Sequence, residues 1–218
     1  MNKINYQKEL DKVLLNIKDR KTPPSLLLHS CCAPCSSYVL EYLSNYFYIT
    51  IYFYNPNISD KKEYLRRVKE QKRLIDNLSV RYPISFIEGE YEPECFYQVA
   101  KGLEDLPEGG DRCFRCYRLR LEKAAKVAKE KGFDYFTTSL SISPHKNASK
   151  LNEIGKSLWE EYDIPYLYSD FKKKNGYKRS IQLSKEYKLY RQDYCGCIYS
   201  KVSYQRRKKE NSENKSLD

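Results

Sequence analysis

The chain is poor in histidine. His29 and His145 are the two in 218 residues, too few for the histidine-rich zinc site of a hydrolase. It also lacks a Gly-x-x-x-x-Gly-Lys-Ser/Thr motif, and the turn after its first apolar run has no glycine-rich phosphate cradle. Both absences argue against ATP hydrolysis. No run approaches the ~20 apolar residues that span a bilayer. The opening stretch Met1–Lys8 interleaves charged and polar residues where a signal peptide carries an apolar core. Together these point to a cytoplasmic chain with no membrane partner, in a compartment that keeps thiols reduced.

Sulfur is present instead. Seven of the eight cysteines fall in three tight groups: Cys31, Cys32 and Cys35; Cys113 and Cys116; Cys195 and Cys197. A chain of this length buries a core without covalent staples, so metal ligation is a better reading than a disulfide framework. A 4Fe–4S cluster takes about four thiolates, which leaves three for a further metal or for redox work. Cys113 and Cys116 straddle the expected start of a helix, where residues three apart share a face and thiolate charge is favoured. Such a pair also suits half a zinc site or a redox dithiol. Cys31 and Cys32 are neighbours in an extended segment, so their side chains are expected on opposite sides, serving different irons or separate centres. Gly196 lets the chain bend between Cys195 and Cys197, and Pro34 stiffens the loop before Cys35. Cys95 stands alone and reads as packing. His29, just ahead of the first group, reads as a packed neighbour rather than a ligand.

Lysine and arginine number 40 against 29 acids, a net charge of +11, with 22 tyrosines. Cations beside aromatics suit a polyanion with unpaired bases. Apolar spacing predicts an amphipathic helix over 6–17, so residues 1–22 form an N-terminal helical segment. Residues 23–200 alternate short apolar strands, near 25–29, 48–54, 84–87, 134–138 and 164–168, with helical stretches, one of them capped by Ser59. That alternation predicts an α/β domain with a mostly parallel sheet flanked by helices. In such sheets ligands sit at the carboxyl ends of strands, where Cys31 and Cys32 fall. Residues 201–218, rich in charge and without apolar periodicity, are expected to be a disordered basic tail.

Four stretches carry a resemblance to a known family. They are Leu28–Ser36 around the Cys-Cys-Ala-Pro-Cys loop, Cys113–Arg120, Phe136–Asn147, and Leu189–Cys197 with its Tyr-Cys-Gly-Cys element. In this order they resemble the QueH-type epoxyqueuosine reductases over most of residues 25–200. The resemblance implies a Rossmann-like, adenine nucleotide alpha hydrolase-like fold, without that group's phosphate loop. It implies reductive deoxygenation of epoxyqueuosine to queuosine at the wobble base of tRNA, without cobalamin. The implied cofactors are a 4Fe–4S cluster and an adjacent mononuclear iron, with Cys31, Cys32, Cys35, Cys113, Cys116, Cys195 and Cys197 as candidate ligands. Some family members carry a carboxylate at the position of Cys35. An external electron donor would supply two electrons, and Tyr194, Asp193 or His145 a proton. Gln192 and Asn147 are candidate contacts to the modified base, and Arg112, Arg115, Arg118 and Lys146 to phosphates. Two other readings remain open at this point: a zinc-bound RNA-interaction module, and a tRNA sulfur-transfer enzyme on the same fold.

Overall fold

Leu26, Leu27 and Leu28 are wholly buried because the strand they form is covered on both faces. The structure is a computed structural model that describes residues 4–214. Its sheet has four strands: β1 (Ser25–His29), β2 (Tyr48–Phe53), β3 (Ser85–Glu88) and β4 (Tyr135–Thr138). All pairings are parallel, in the order β3-β2-β1-β4. Side chains alternate across a strand, so Leu26 and Leu28 enter one core and Leu27 the other.

Helices α1 (Tyr6–Ile17), α2 (Ala33–Leu43) and α3 (Lys61–Asn77) cover the first face. Leu10, Leu14, Val39, Leu40, Val68 and Leu74 fill that core with Ile49, Ile51 and Phe53 of β2. The opposite face follows α4 (Pro93–Ala100) and is built by α5 (Asp111–Glu130) and α6 (Ala148–Tyr162). Leu121, Ala124, Ala125, Leu151 and Leu158 pack there around Phe136 of β4. Helix α7 (Gly176–Glu186) lies on α2, and α8 (Ile198–Asn214) closes the described chain. The α/β class with a parallel sheet is therefore as the alternating pattern predicts. Among the described residues no helix is long and apolar enough to cross a membrane.

Three local expectations are corrected. The fifth strand reduces to one bridge between Phe136 and Tyr166, because Pro165 has no N–H to extend the ladder. Asp60, not Ser59, caps α3 by accepting from the Lys62 amide at 2.8 Å. The basic tail is helical from Ile198 to Asn214; residues 215–218 of it lie outside the described residues. Its glutamine, arginines, lysines and glutamates are good helix formers, and the helix starts from the Lys201 amide bonding the Cys197 carbonyl at 3.0 Å.

The chain adds β2 and β3 on one side of β1, then returns to place β4 on the other. This reversal opens a crevice beyond the carboxyl ends of β1 and β4, the place of residues 30–35 and of a 3-10 turn at Ser139–Ile142. Gly155, inside α6, sits where any Cβ would overlap the buried Tyr166 ring. Gly155→Ala would raise helix propensity, yet it is expected to destabilise the protein by about 1–3 kcal/mol through overpacking. Thermal melts check the sign; a higher Tm would contradict this packing.

Candidate metal centre

Each cysteine group is carried by the amino-terminal end of a helix. Cys32 occupies the capping position of α2, with Pro34 and Cys35 in its first turn. Cys113 and Cys116 lie in the first two turns of α5, three apart on one face. Cys197 immediately precedes α8. The free N–H groups and dipole at such ends favour negative charge. Backbone N–H groups also point at sulfur: Gly109, in the loop leading into α5, donates to Cys113 Sγ at 3.3 Å, and Ser200, in the first turn of α8, to Cys197 Sγ at 3.4 Å.

The three ends converge. Cys31 Sγ and Cys32 Sγ are 3.7 Å apart, and these two with Cys35 Sγ all lie within 4.8 Å of one another. The expectation that Cys31 and Cys32 point apart is thus wrong: the backbone bends at Cys31, which ends the strand's alternation. Ligands on one tetrahedral ion at about 2.3 Å stand roughly 3.8 Å apart, so the trio suits a single metal. Cys113, Cys116, Cys195 and Cys197 line a second, smaller cavity with Tyr117, Arg120 and Lys146. Cys195 and Arg120 also line a larger cavity of about 210 Å³, together with Cys31 and Cys35. All eight cysteines are free thiols.

Burial and fixed cations set the thiol charges against each other. Burial pushes Cys116 up to about 11, and burial with the neighbouring Cys195 pushes Cys197 up to about 12. Burial also opposes ionisation of Cys195, but Lys146 and Arg120 outweigh it and hold this thiol below its usual range. Lys146 Nζ donates to Cys195 Sγ at 3.3 Å and pairs with Glu108 at 3.4 Å. In the first trio a hydrogen bond with Cys31 holds Cys32 low, while its partner Cys31 is raised. Gln192 Nε2 donates to Cys32 Sγ at 2.9 Å.

The Cys195–Cys197 segment is locked from outside. Arg67 donates to the carbonyls of Cys195 (3.0 Å) and Tyr194 (3.4 Å), and its Nε pairs with buried Glu63 at 2.7 Å. Ser59 N–H donates to the Gly196 carbonyl at 3.1 Å. Gly196 itself has φ +118 and packs against Ile58 and Arg67, a backbone state that favours glycine.

A family model described as "Epoxyqueuosine reductase QueH" matches residues 26–203. The chain belongs to the QueH family. An epoxyqueuosine reductase QueH of Staphylococcus epidermidis is 48% identical over 202 residues, covering 91% of this chain and 85% of that one. One from Streptococcus pyogenes is 44% identical over 200 residues, covering 91% and 78%. A QueH of Thermotoga maritima is 35% identical over 182 residues, covering 81% and 90%. Among solved structures, the U34-tRNA thiolase NcsA from Methanococcus maripaludis with its [4Fe-4S] cluster superposes with a TM-score of 0.50 at 14% identity. That match covers 96% of this chain and 73% of that one, and it shows the fold alone.

Of the other residues singled out in this QueH-family sequence, Tyr194, Asp193, His145 and Gln192 all line the larger cavity. Burial raises Tyr194, so its hydroxyl keeps its proton. Asp193 accepts from the Tyr204 hydroxyl of α8 at 3.1 Å. Asn147 instead caps α6, accepting from the Lys150 amide at 3.0 Å. Three of the four expected phosphate contacts are engaged elsewhere. Arg112 is buried and donates to the Leu103, Glu104 and Leu106 carbonyls, Arg118 pairs with Glu161 at 2.6 Å, and Lys146 serves Cys195. Arg115 is exposed. His29 is saturated by the Thr138 hydroxyl (2.9 Å) and the Tyr54 carbonyl (3.1 Å), and burial holds it neutral with a pKa of about 3. Arg67, Glu108 and Arg120 belong to the site and were not singled out by sequence; Arg120's spacing of four from Cys116 on α5 was the available signal.

Arg67→Met would leave Glu63 buried beside a lost cation and free the Cys195–Cys197 segment. Breaking such a buried pair costs about 3–5 kcal/mol, and denaturant unfolding of the variant is expected to show that loss. A loss under about 1 kcal/mol, the surface-pair range, would contradict the lock.

Proposed function

We propose that this chain reduces epoxyqueuosine to queuosine at the wobble position of tRNA. The observation that carries the reading is the convergence of cysteines from three distant segments: six line two adjoining cavities, and the seventh, Cys32, has its sulfur within 4.8 Å of those of Cys31 and Cys35. Membership of the QueH family favours it over a sulfur-transfer enzyme or a zinc-bound RNA module.

The donor set fits the cofactors. Four cysteines around the smaller cavity, Cys113, Cys116, Cys195 and Cys197, match the number a 4Fe–4S cluster takes, and a cubane spreads its thiolates more widely than a lone ion does. Cys31, Cys32 and Cys35 would hold the adjacent iron, since their sulfurs stand close enough for one ion. Buried Arg120 has two guanidinium nitrogens without partners, which suits an anionic group between the two cavities. When bound, such groups supply one-electron transfer and a Lewis acid for the epoxide oxygen.

The rest falls to side chains. Epoxide to alkene and water consumes two electrons, from an external donor, and two protons. Tyr194, Asp193 and His145 at the larger cavity are the candidate donors for those protons. Gln192 lines the same cavity and is the candidate contact to the base; its amide nitrogen donates to Cys32 Sγ, and its buried carbonyl oxygen has no protein partner. Arg191 and Arg207 also line this cavity, where an anticodon phosphate would meet them, and the net charge of +11 draws in the polyanion.

An anaerobic assay on tRNA carrying the epoxide, with reductant and nucleoside mass spectrometry, is expected to show queuosine. No product from iron-loaded protein would overturn the proposal. Cys113→Ala should abolish both the brown colour and turnover; a brown, active variant removes Cys113 from the ligands. Raising salt from 50 to 200 mM is expected to weaken tRNA binding by roughly tenfold or more, measured by filter binding.

A further inference from the structure

Four cations are nearly excluded from solvent around the thiols: Arg67, Arg112, Arg120 and Lys146. Three are accounted for by the protein. Arg67 has Glu63 and two carbonyls, Arg112 has three carbonyls, and Lys146 has Glu108 and Cys195. Arg120 differs. It is 1% exposed, its Nε donates to the Cys116 carbonyl at 3.2 Å, and both terminal nitrogens have no partner. No carboxylate pairs with it among the described residues.

Its place is set by the helix. Residues 113, 116, 117 and 120 recur at i, i+3, i+4 and i+7, one face of α5, and that face lines the smaller cavity. The bond to the Cys116 carbonyl turns the guanidinium along the helix toward the thiols. Arg120 lines the larger cavity as well. The Tyr117 hydroxyl, on the same face, is also buried without a partner. A buried cation with four N–H bonds unspent is strongly unfavourable unless an anion stands beside it.

We propose that Arg120 is a positioning residue that sets the reduction potential of the bound iron–sulfur cluster by fixing one positive charge between the two thiol cavities. This rests on the reading of the thiols as iron ligands. Each added electron makes a thiolate-ligated cluster more negative, so a fixed cation in a poorly solvated cavity favours the reduced form. Cys116, Cys195 and Cys31 are the thiols whose charge Arg120 feels most, one or more from each cavity. A cation shared in this way also keeps the two centres close without mutual repulsion.

The test is a redox titration of the full chain, anaerobically loaded with iron and sulfide and followed by electron paramagnetic resonance. Arg120→Gln is expected to keep its iron and shift the reduction equilibrium at least tenfold toward the oxidised form, about 59 mV for one electron. Arg120→Lys is expected to restore most of that shift. An iron-loaded Gln variant at the parental potential overturns the proposal, as does a Lys variant shifted as far as Gln. If Gln loses iron with its circular dichroism intact, retention by Lys supports the proposal and loss by Lys overturns it. If Gln does not fold, the Lys variant decides alone: parental potential supports a charge role, and lost iron overturns it. A parent chain that takes up no iron contradicts the cluster reading itself, an outcome distinct from all of these.

Discussion

Three helix amino-termini meet at one end of the sheet, and each brings cysteines with it. This single constraint organises the molecule. Strand β1, buried on both faces, delivers the chain to Cys31 and Cys32 at the crevice, and α2 starts there because Pro34 suits a helix's first turn. Helix α5 runs back across the opposite face, so its first turns, with Cys113 and Cys116, reach the same end. The Cys195–Cys197 segment arrives last and is held down by Arg67 and Ser59. Sulfur spacing, thiol charge and cavity shape all follow from how those three ends are anchored.

The electrostatics explain why so much positive charge is buried beside the sulfur. Burial keeps Cys116 protonated, and burial with the neighbouring Cys195 does the same at Cys197. Helix ends, Lys146 and Arg120 favour the anion instead, the form in which a cysteine can ligate a metal. Cations and thiols compensate each other only together. The protein thus carries, in its interior, a charge pattern that makes sense around an anionic, metal-bearing group. Tyr194, Asp193 and His145 line the larger cavity together with Cys31 and Cys35.

Much of this was legible in the linear chain. Alternating strands and helices predicted the parallel sheet, and the three cysteine groups predicted a thiol-rich centre. What failed did so for identifiable reasons. Strand alternation was extended one residue too far at Cys31, where the backbone bends. Arg112 looked like a surface cation, but three loop carbonyls enclose it. Asn147 was spent on a helix cap. Composition cannot show that Cys197 and Ser200 anchor the first turn of α8. Arg120 was hidden among the many basic residues of its helix, since only tertiary structure reveals that it has no partner. Which cysteines share a cavity is likewise a long-range property.

The central claim is that these sulfurs hold iron in two adjoining places, with Arg120 between them. Diffraction from anaerobically grown crystals, recorded on both sides of the iron absorption edge, measures this directly. The account predicts two neighbouring iron peaks, one beside Cys113, Cys116, Cys195 and Cys197 and one beside Cys31, Cys32 and Cys35. Zinc alone at these positions, or cysteines joined as disulfides, would contradict it.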